Sequence, residues 1–304
     1  MRDQFITSLT SQLEDSTCFL LTGDLGFGIF DNIANLFPHQ FINTGVAEQN
    51  LSSIAAGLAL DGNRVFTYSI GNFNTLRCYE QIRNDIIYHD CNIAIVTSGA
   101  GFSYGQLGMS HFAIEDVGVF RLLPNIRILT PSSDTEMSLC MNFLLNNPGP
   151  AYLRIDKSSL STDALYLDSL LQPNCHMSGS DILFLSYGGI AQECLDAALM
   201  LSKNSLSCSV YTLPLIKPLP VDCLQPLLIS HRYVVCVEEH MITGGLCSAI
   251  AELKSHRNIH TPQLSLAIPS CYPSIVGDQT FLRRHFNLDS LSIYQQTLEF
   301  TERV

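Results

Sequence analysis

Short runs of consecutive apolar residues alternate along the chain with longer segments in which apolar residues recur at helical spacing. In the first half, the runs that predict buried strands lie at residues 18–21, 41–43, 64–68, 92–97, 126–129 and 151–155. The segments that predict helices lie at residues 2–14, 47–60, 76–88 and 134–145. Buried strands that alternate with helices are typical of a parallel sheet covered on both faces.

A polar segment interrupts this alternation at residues 159–177, which lack clear periodicity and contain Pro173, as is typical of a linker. The pattern then restarts, with predicted strands at 181–186, 207–213, 233–238 and 262–267 and predicted helices at 188–201 and 244–253. We therefore predict two consecutive three-layer α/β domains, 1–158 and 178–304, joined by a linker at 159–177.

The composition is that of a charge-poor globular protein, with 46% apolar and 14% charged residues in a chain of 304. A surface with few charges favours coverage by another chain. The net charge of −12 repels nucleic-acid phosphates, and the sequence has no basic patch interleaved with aromatic residues. We therefore expect no nucleic-acid binding.

The eleven cysteines are scattered singly and form no C-x-x-C pair, a spacing that fits neither a disulfide framework nor a zinc site. This scatter predicts reduced, mostly buried thiols and a cytoplasmic protein. The first residues are polar and helical in period, unlike a signal peptide. No apolar run is long enough to cross a bilayer, so we expect no membrane association.

Candidate chemistry begins with the motif Gly-Val-Ala-Glu-Gln-Asn at residues 45–50, where a predicted strand gives way to a helix. Glu48 falls in the first helical turn, near the positive end of the helix dipole, which stabilises a carboxylate by about 0.5 kcal/mol. An ordinary helix-start glutamate explains this pattern at least as well as a functional one. However, residues 51–60 contain no charge and predict deep burial, where a carboxylate requires a specific partner.

A glycine-rich loop at residues 99–111 follows the predicted strand at 92–97 and ends at His111. Ligands bind at the carboxyl ends of strands in open α/β sheets, and glycines let a backbone approach a ligand closely. The glycine spacing matches neither the dinucleotide fingerprint nor the phosphate loop. Taken alone, His111 fits a hydrogen-bonded structural histidine as well as a catalytic one.

Aromatic residues cluster at a third strand-to-helix junction, where Tyr68, Phe73 and Tyr79 accompany Arg77. Aromatic side chains at such a junction either pack in the core or stack on a flat ring. Core packing is the simpler interpretation of this segment alone.

Together these motifs resemble the transketolase family. The parts similar to its pyrimidine-binding domain are the motif at 45–50, the stretch Asn-Phe…Glu-Gln-Ile-Arg at 72–83, Gly-x-Ser-His at 108–111, and Leu-Pro-Asn-Ile…Thr-Pro at 123–131. The parts similar to its C-terminal domain are Tyr-Gly-Gly at 187–189, Pro…Lys-Pro at 214–218, and Val-Glu-Glu-His…Gly-Gly-Leu at 237–246. The resemblance covers nearly the whole chain in the family's order.

The resemblance implies a thiamine diphosphate enzyme that transfers a two-carbon ketol unit from a ketose to an aldose. Glu48 matches the glutamate that hydrogen-bonds the cofactor's aminopyrimidine ring and activates it. Phe73 is the candidate for stacking on that ring, and Arg77 and Tyr68 are further candidate cofactor contacts.

Three residues are implied to contact the sugar. His111 matches a histidine that contacts the cofactor-bound substrate, and we assign it a catalytic role. Lys157 lies near the place where relatives carry an arginine for the substrate phosphate, and a lysine binds phosphate as a point charge. A solvated linker lysine explains Lys157 equally well. Ser103, in the glycine-rich loop, is the third candidate.

The family holds the diphosphate and Mg²⁺ with a Gly-Asp-Gly motif followed downstream by an asparagine. The nearest matches, Gly23-Asp24-Leu25 and Leu60-Asp61-Gly62, lack the second part of that pattern. The resemblance therefore implies a separate diphosphate-binding partner subunit that holds Mg²⁺. It also implies an α2β2 assembly in which this chain contacts a second copy of itself, and a sugar or sugar-phosphate substrate.

Two departures from the family pattern leave the sugar open. Gln106-Leu107 stand where many relatives carry an acidic pair, and Gly99 stands where transketolases proper often have a histidine. Other interpretations also stay open: the beta subunit of a 2-oxo acid dehydrogenase decarboxylase, an enzyme like deoxyxylulose-phosphate synthase, or a non-catalytic regulatory or scaffolding subunit.

Overall fold

The computed structural model describes residues 1–162, 164–165 and 169–303. The strands are β1 (Cys18–Thr22), β2 (Phe41–Asn43), β3 (Arg64–Ile70), β4 (Ile93–Ser98), β5 (Arg127–Leu129), β6 (Ala151–Ile155), β7 (Asn174–Met177), β8 (Ile182–Ser186), β9 (Cys208–Thr212), β10 (Leu215–Lys217), β11 (Tyr233–Met241) and β12 (Gln263–Ile268). The helices are α1 (Arg2–Gln12), α2 (Asp31–Leu36), α3 (Glu48–Leu60), α4 (Tyr79–Gln81), α5 (Asp116–Leu122), α6 (Asp134–Asn146), α7 (Ala191–Ser202), α8 (Val221–Ser230), α9 (Leu246–Arg257), α10 (Gln279–His285) and α11 (Ser290–Arg303).

The first sheet has the strand order β10-β5-β6-β4-β3-β1-β2. Strands β1 to β6 are parallel, and every residue of β4 and β6 is buried, including the polar Thr97 and Arg154, as in a parallel sheet covered on both faces. Helices α1 and α6 cover one face, and α3 and α5 cover the other. The carboxyl ends of β1, β3, β4 and β6 meet at one edge, so the loops that carry the candidate motifs gather there.

The second sheet has the order β12-β11-β8-β9-β7 and is parallel except for β7. Apolar residues of α7 and α11 pack on one face of this sheet, and those of α8 and α9 pack on the other. The structure therefore confirms two α/β domains with mostly parallel sheets. The halves also share a sheet, because β10 from the second half pairs antiparallel with β5.

The predicted linker at 159–177 contains β7, which pairs antiparallel with β9. Its sequence, Asn-Cys-His-Met, is not an apolar run, and so no strand was predicted. Inside the protein its polar side chains are paired: His176 lies 2.8 Å from Thr212 Oγ1, and Asn174 donates to Glu136 at 2.8 Å. Residues 163 and 166–168 of the predicted linker lie outside the described residues.

Two helix predictions need correction. Residues 76–88 do not form a regular helix: a 3₁₀ turn at Leu76–Cys78 leads through α4 into a π-helical segment at Ile82–Ile87. Deep burial of the whole of α3 is also wrong, because only one face of a helix packs on a sheet. Leu60 is 62% exposed, whereas Leu51 and Ala55 are fully buried.

No helix among the described residues combines the length and the apolar character needed to cross a membrane.

Candidate active site at the carboxyl edge of the first sheet

Glu48 begins α3, and its side chain is only 1% exposed. Its Oε1 accepts a hydrogen bond from Ser69 Oγ at 3.1 Å. Its Oε2 accepts one from Arg77 Nη1 at 2.8 Å, which also forms an ion pair. A buried carboxylate is stable when such donors replace its water. The partners that the sequence required for Glu48 are therefore Ser69, on β3, and Arg77, in the turn that follows it.

The loop after β1 approaches the same carboxylate. A Cβ atom at Gly23 would lie 3.4 Å from Glu48 Oε1. The carboxyl ends of β1 and β3 thus border Glu48 from two sides.

Arg77 connects Glu48 to two predicted ligand contacts. Its guanidinium carbon lies 3.9 Å from the centroid of the Phe73 ring, within cation–π distance. The Phe73 ring in turn meets the His111 ring edge to face, with centroids 5.0 Å apart. Glu48, Arg77, Phe73 and His111 therefore form one continuous group of side chains.

His111 closes a short 3₁₀ turn in the glycine-rich loop, with its Nδ1 3.0 Å from Ser110 Oγ. Burial lowers the pKa of His111, and the charge of Arg77 lowers it further. The ring is therefore neutral at pH 7, with one nitrogen able to donate and one able to accept a hydrogen bond.

Tyr68 does not belong to this group. Successive residues of a strand point to opposite faces of the sheet, and Ser69 points to the face that carries Glu48. Tyr68 points to the other face, is 4% exposed, and packs between the rings of Phe5 and Phe30. Its assignment as a cofactor contact is corrected to a core position.

Ser103 and Lys157 lie together, with Lys157 N 3.4 Å from Ser103 Oγ. Ser103 Oγ lies 2.7 Å from Ala100 O and 2.9 Å from Asp156 Oδ1, and its single proton can be donated to either acceptor. The Lys157 ammonium lies 3.6 Å from the centroid of the Tyr104 ring. Burial lowers the pKa of Lys157, and the nearby charge of Arg2 lowers it further.

Arg2 is a candidate that sequence reasoning missed. With Ser98, Tyr104, Lys157 and others it lines a cavity of about 290 Å³ at the sheet edge. The lining also includes the carboxylates of Asp3 and Asp156, and Arg2 Nε lies 3.5 Å from Asp3 Oδ1, so the cavity carries both positive and negative groups. In the sequence, Arg2 is a basic residue at the start of an amphipathic helix. Nothing in that local pattern indicates that it lies near Lys157, 155 positions later.

Three exposed apolar residues, here called the apolar rim, lie in the segments that follow β1, β2 and β3: Phe27, Val46 and Leu76, which are 76%, 74% and 41% exposed. Val46 is two residues from Glu48, and Leu76 precedes Arg77. Exposed apolar side chains grouped around a polar site are typical of a surface that another protein covers. Among the described residues, no group of three or more His, Cys, Asp or Glu side chains could hold a metal ion.

Two family models match the chain. The pyrimidine-binding domain of transketolase matches residues 9–162, and the transketolase C-terminal domain matches residues 174–293.

Several relatives align with this chain over most of its length and most of their own. An apulose-4-phosphate transketolase subunit of Actinobacillus succinogenes is 32% identical over 86% of this chain and 85% of that protein. The 6-deoxy-6-sulfo-D-fructose transketolase subunit SqwH of Clostridium sp. is 27% identical over 100% of this chain and 95% of that protein. Among solved structures, a split-gene transketolase described as an inactive β4 tetramer is 26% identical. It aligns with a TM-score of 0.85 over 98% of this chain and 96% of that chain.

The side chains grouped around Glu48 lie within the matched pyrimidine-binding domain, and the chain has the length of subunits rather than of whole enzymes. The chain belongs to the transketolase family and is the β-type subunit of a split transketolase, a transferase that acts with a partner subunit.

Proposed function

We propose that this chain supplies the Glu48 side of a thiamine diphosphate site that the partner subunit completes. The supporting observation is the geometry of Arg77. Its planar cation lies on the Phe73 ring at 3.9 Å and donates an N–H to the buried Glu48 carboxylate at 2.8 Å. An aminopyrimidine ring requires the same two contacts, an aromatic face and a carboxylate at a ring nitrogen. The side chains present therefore fit this cofactor.

When bound, thiamine diphosphate supplies the carbanion chemistry that cleaves the bond next to a ketose carbonyl. The Glu48 carboxylate shares a proton with the ring nitrogen that lies next to it. Phe73 orients the ring by stacking. His111, neutral at pH 7 and in contact with Phe73, hydrogen-bonds the sugar at the reacting end. Arg77 is 43% exposed and has room to leave the carboxylate when the ring binds.

The partner subunit is proposed to bind the diphosphate and to hold Mg²⁺, because this sequence lacks the family's Gly-Asp-Gly motif. The apolar rim of Phe27, Val46 and Leu76 is the surface on which it would dock. We propose an α2β2 assembly in which this chain also contacts a second copy of itself. The relative solved as a β4 tetramer is described as inactive in that assembly, which supports both self-association and the need for a partner.

The sugar is proposed to carry an anionic group. The names of two relatives include a sugar phosphate and a sulfonated sugar. In this chain, Lys157 and Arg2 line a cavity at the sheet edge together with the carboxylates of Asp3 and Asp156. We propose that Lys157 and Arg2 bind the anion, and that Ser103 holds Asp156 and the start of the Lys157 segment in place.

Replacing Lys157 by methionine is expected to raise the KM for an anionic sugar roughly 10- to 100-fold, since a hydrogen bond to a charged group is worth about 1.5–3 kcal/mol. The kcat is expected to change little, because the contact lies away from the reacting carbon. Steady-state kinetics of the two-subunit enzyme measures both constants. Lys203→Met, at an exposed lysine after α7, is the matched control. An unchanged KM in Lys157→Met would contradict the assignment.

Reconstitution tests the function itself. The chain, the diphosphate-binding subunit, thiamine diphosphate and Mg²⁺ are mixed with a ketose phosphate or with pyruvate as donor, and an aldose phosphate as acceptor. We expect two-carbon transfer from the ketose phosphate by the mixture and none by either subunit alone. Turnover with pyruvate alone would instead identify a different class of thiamine enzyme.

A further inference from the structure

The Tyr104 ring lies against Gly99, in the space that a larger residue at position 99 would need. Gly99 has a φ of +96°, and a Cβ atom built there would lie 2.2 Å from two carbons of the Tyr104 ring. Real side chains never approach so closely, so a side chain at residue 99 and the Tyr104 ring exclude one another. The Tyr104 ring therefore fills the place that a side chain at residue 99 would take.

The same ring borders the cavity that Arg2, Lys157, Asp3 and Asp156 also line. Tyr104 lines it with Ser98, Arg2 and Lys157, and the Lys157 ammonium rests on the ring at 3.6 Å from its centroid. A cation over an aromatic face at this distance is attracted to it by about 0.5–2 kcal/mol. Tyr104 is only partly buried and lies outside the buried core clusters. Its ring is therefore a wall of the cavity rather than part of the core.

The cavity and Phe73 lie at the same end of two neighbouring strands, β4 and β3. Ser98 pairs with Ile70 in the register of β4 and β3, and Gly71 N donates to Ser98 O at 3.0 Å. Adjacent strands are about 4.8 Å apart, and Phe73 follows two residues after Gly71. A sugar whose carbonyl end lies at Phe73 and His111 therefore extends past Gly99 toward Tyr104.

We propose that Tyr104 is the residue that determines which sugars this subunit accepts. Its ring limits the length of the sugar between the reacting carbon and the anionic end, and its face holds the Lys157 ammonium at the position of the anion. This inference rests on the proposed function, since it requires a sugar bound between the Glu48 site and Lys157.

The test measures kcat/KM of the two-subunit enzyme for D-glyceraldehyde 3-phosphate, D-erythrose 4-phosphate and D-ribose 5-phosphate, which differ in length. Tyr104→Ala removes the wall. The kcat/KM of the five-carbon acceptor divided by that of the three-carbon acceptor is expected to rise by about tenfold or more, the scale of steric selection in a pocket. Tyr104→Phe keeps the ring and is expected to keep the ratio within about twofold. Tyr88→Ala, at a tyrosine that is 83% exposed, is the matched control.

Tyr104→Leu separates the two roles, because it keeps bulk but removes the aromatic face. It is expected to raise the KM of all three phosphates about three- to tenfold with little change in the ratio. It also keeps the test informative should Tyr104→Ala fail to fold. Unchanged ratios in Tyr104→Ala and unchanged KM values in Tyr104→Leu, with wild-type transfer intact, would overturn the inference and leave the proposed function standing. A wild-type complex that transfers nothing would overturn the proposed function and this inference with it.

Discussion

Replacing Glu48 by glutamine is expected to lower the kcat of the two-subunit enzyme by about 10²- to 10⁴-fold, the range that a positioned acid–base group supplies. Glutamine keeps the size of the side chain and can still accept from Ser69. It cannot take up or release the proton that a carboxylate shares with a ring nitrogen. Turnover is measured at saturating thiamine diphosphate, so that weaker cofactor binding does not enter the comparison.

The matched control is Glu80→Gln, at an exposed glutamate of α4, which is expected to leave kcat within about twofold. Thermal unfolding of both variants checks that the fold persists. Turnover in Glu48→Gln equal to that of Glu80→Gln would contradict the catalytic assignment and would favour a regulatory or scaffolding subunit.

Replacing Asp116 by asparagine is expected to lower the free energy of unfolding by about 3–5 kcal/mol, because it leaves a buried guanidinium without its counter-charge. Asp116 and Arg154 are 1% and 2% exposed and meet at 2.7 Å. Asp116 raises the pKa of Arg154 despite its burial. Arg154 also donates to Ala113 O at 2.9 Å and to Glu239 O at 3.2 Å, so it joins the segment after the glycine-rich loop to β11 of the second domain.

Urea unfolding of the isolated chain measures this loss. The control is Asp61→Asn, at an exposed position after α3, which is expected to change the free energy of unfolding by no more than about 0.5 kcal/mol. The double variant Asp116→Asn/Arg154→Met removes both charges and is expected to recover part of the loss. A loss below about 1 kcal/mol in the single variant would show that other groups neutralise Arg154.

The position of Glu48 could be predicted because its evidence is local. A strand, a short turn and an apolar helix follow one another within a few residues, and the carboxyl ends of parallel strands meet at one edge. The same logic placed Phe73 and His111 near the edge. Their contact with each other and with Arg77 depends on how two loops meet, which no local pattern encodes.

The incorrect assignment of Tyr68 as a cofactor contact has a different cause. Both Tyr68 and Ser69 lie within the buried part of β3, where apolar and polar residues alternate from Phe66 to Ile70. The alternation puts the two neighbours on opposite faces but does not say which face carries Glu48. The sequence therefore could not tell which of the two neighbours faces Glu48.

The remaining features that the sequence did not predict depend on contacts between residues far apart in the chain. β10 is three residues long and lies between prolines, yet it completes the first sheet by pairing with β5, far away in the chain. β7 owes its place to polar side chains that find partners in both domains. Arg2 reaches the cavity that it lines with Lys157 only because α1 packs across the sheet.

The most direct measurement is the structure of this chain with its partner subunit, thiamine diphosphate and Mg²⁺. It should show a Glu48 carboxylate oxygen about 2.6–3.2 Å from the N1′ atom of the aminopyrimidine, with that ring stacked on Phe73 and Arg77 moved away. An intact pair between Glu48 and Arg77, with the cofactor bound elsewhere, would contradict the proposal.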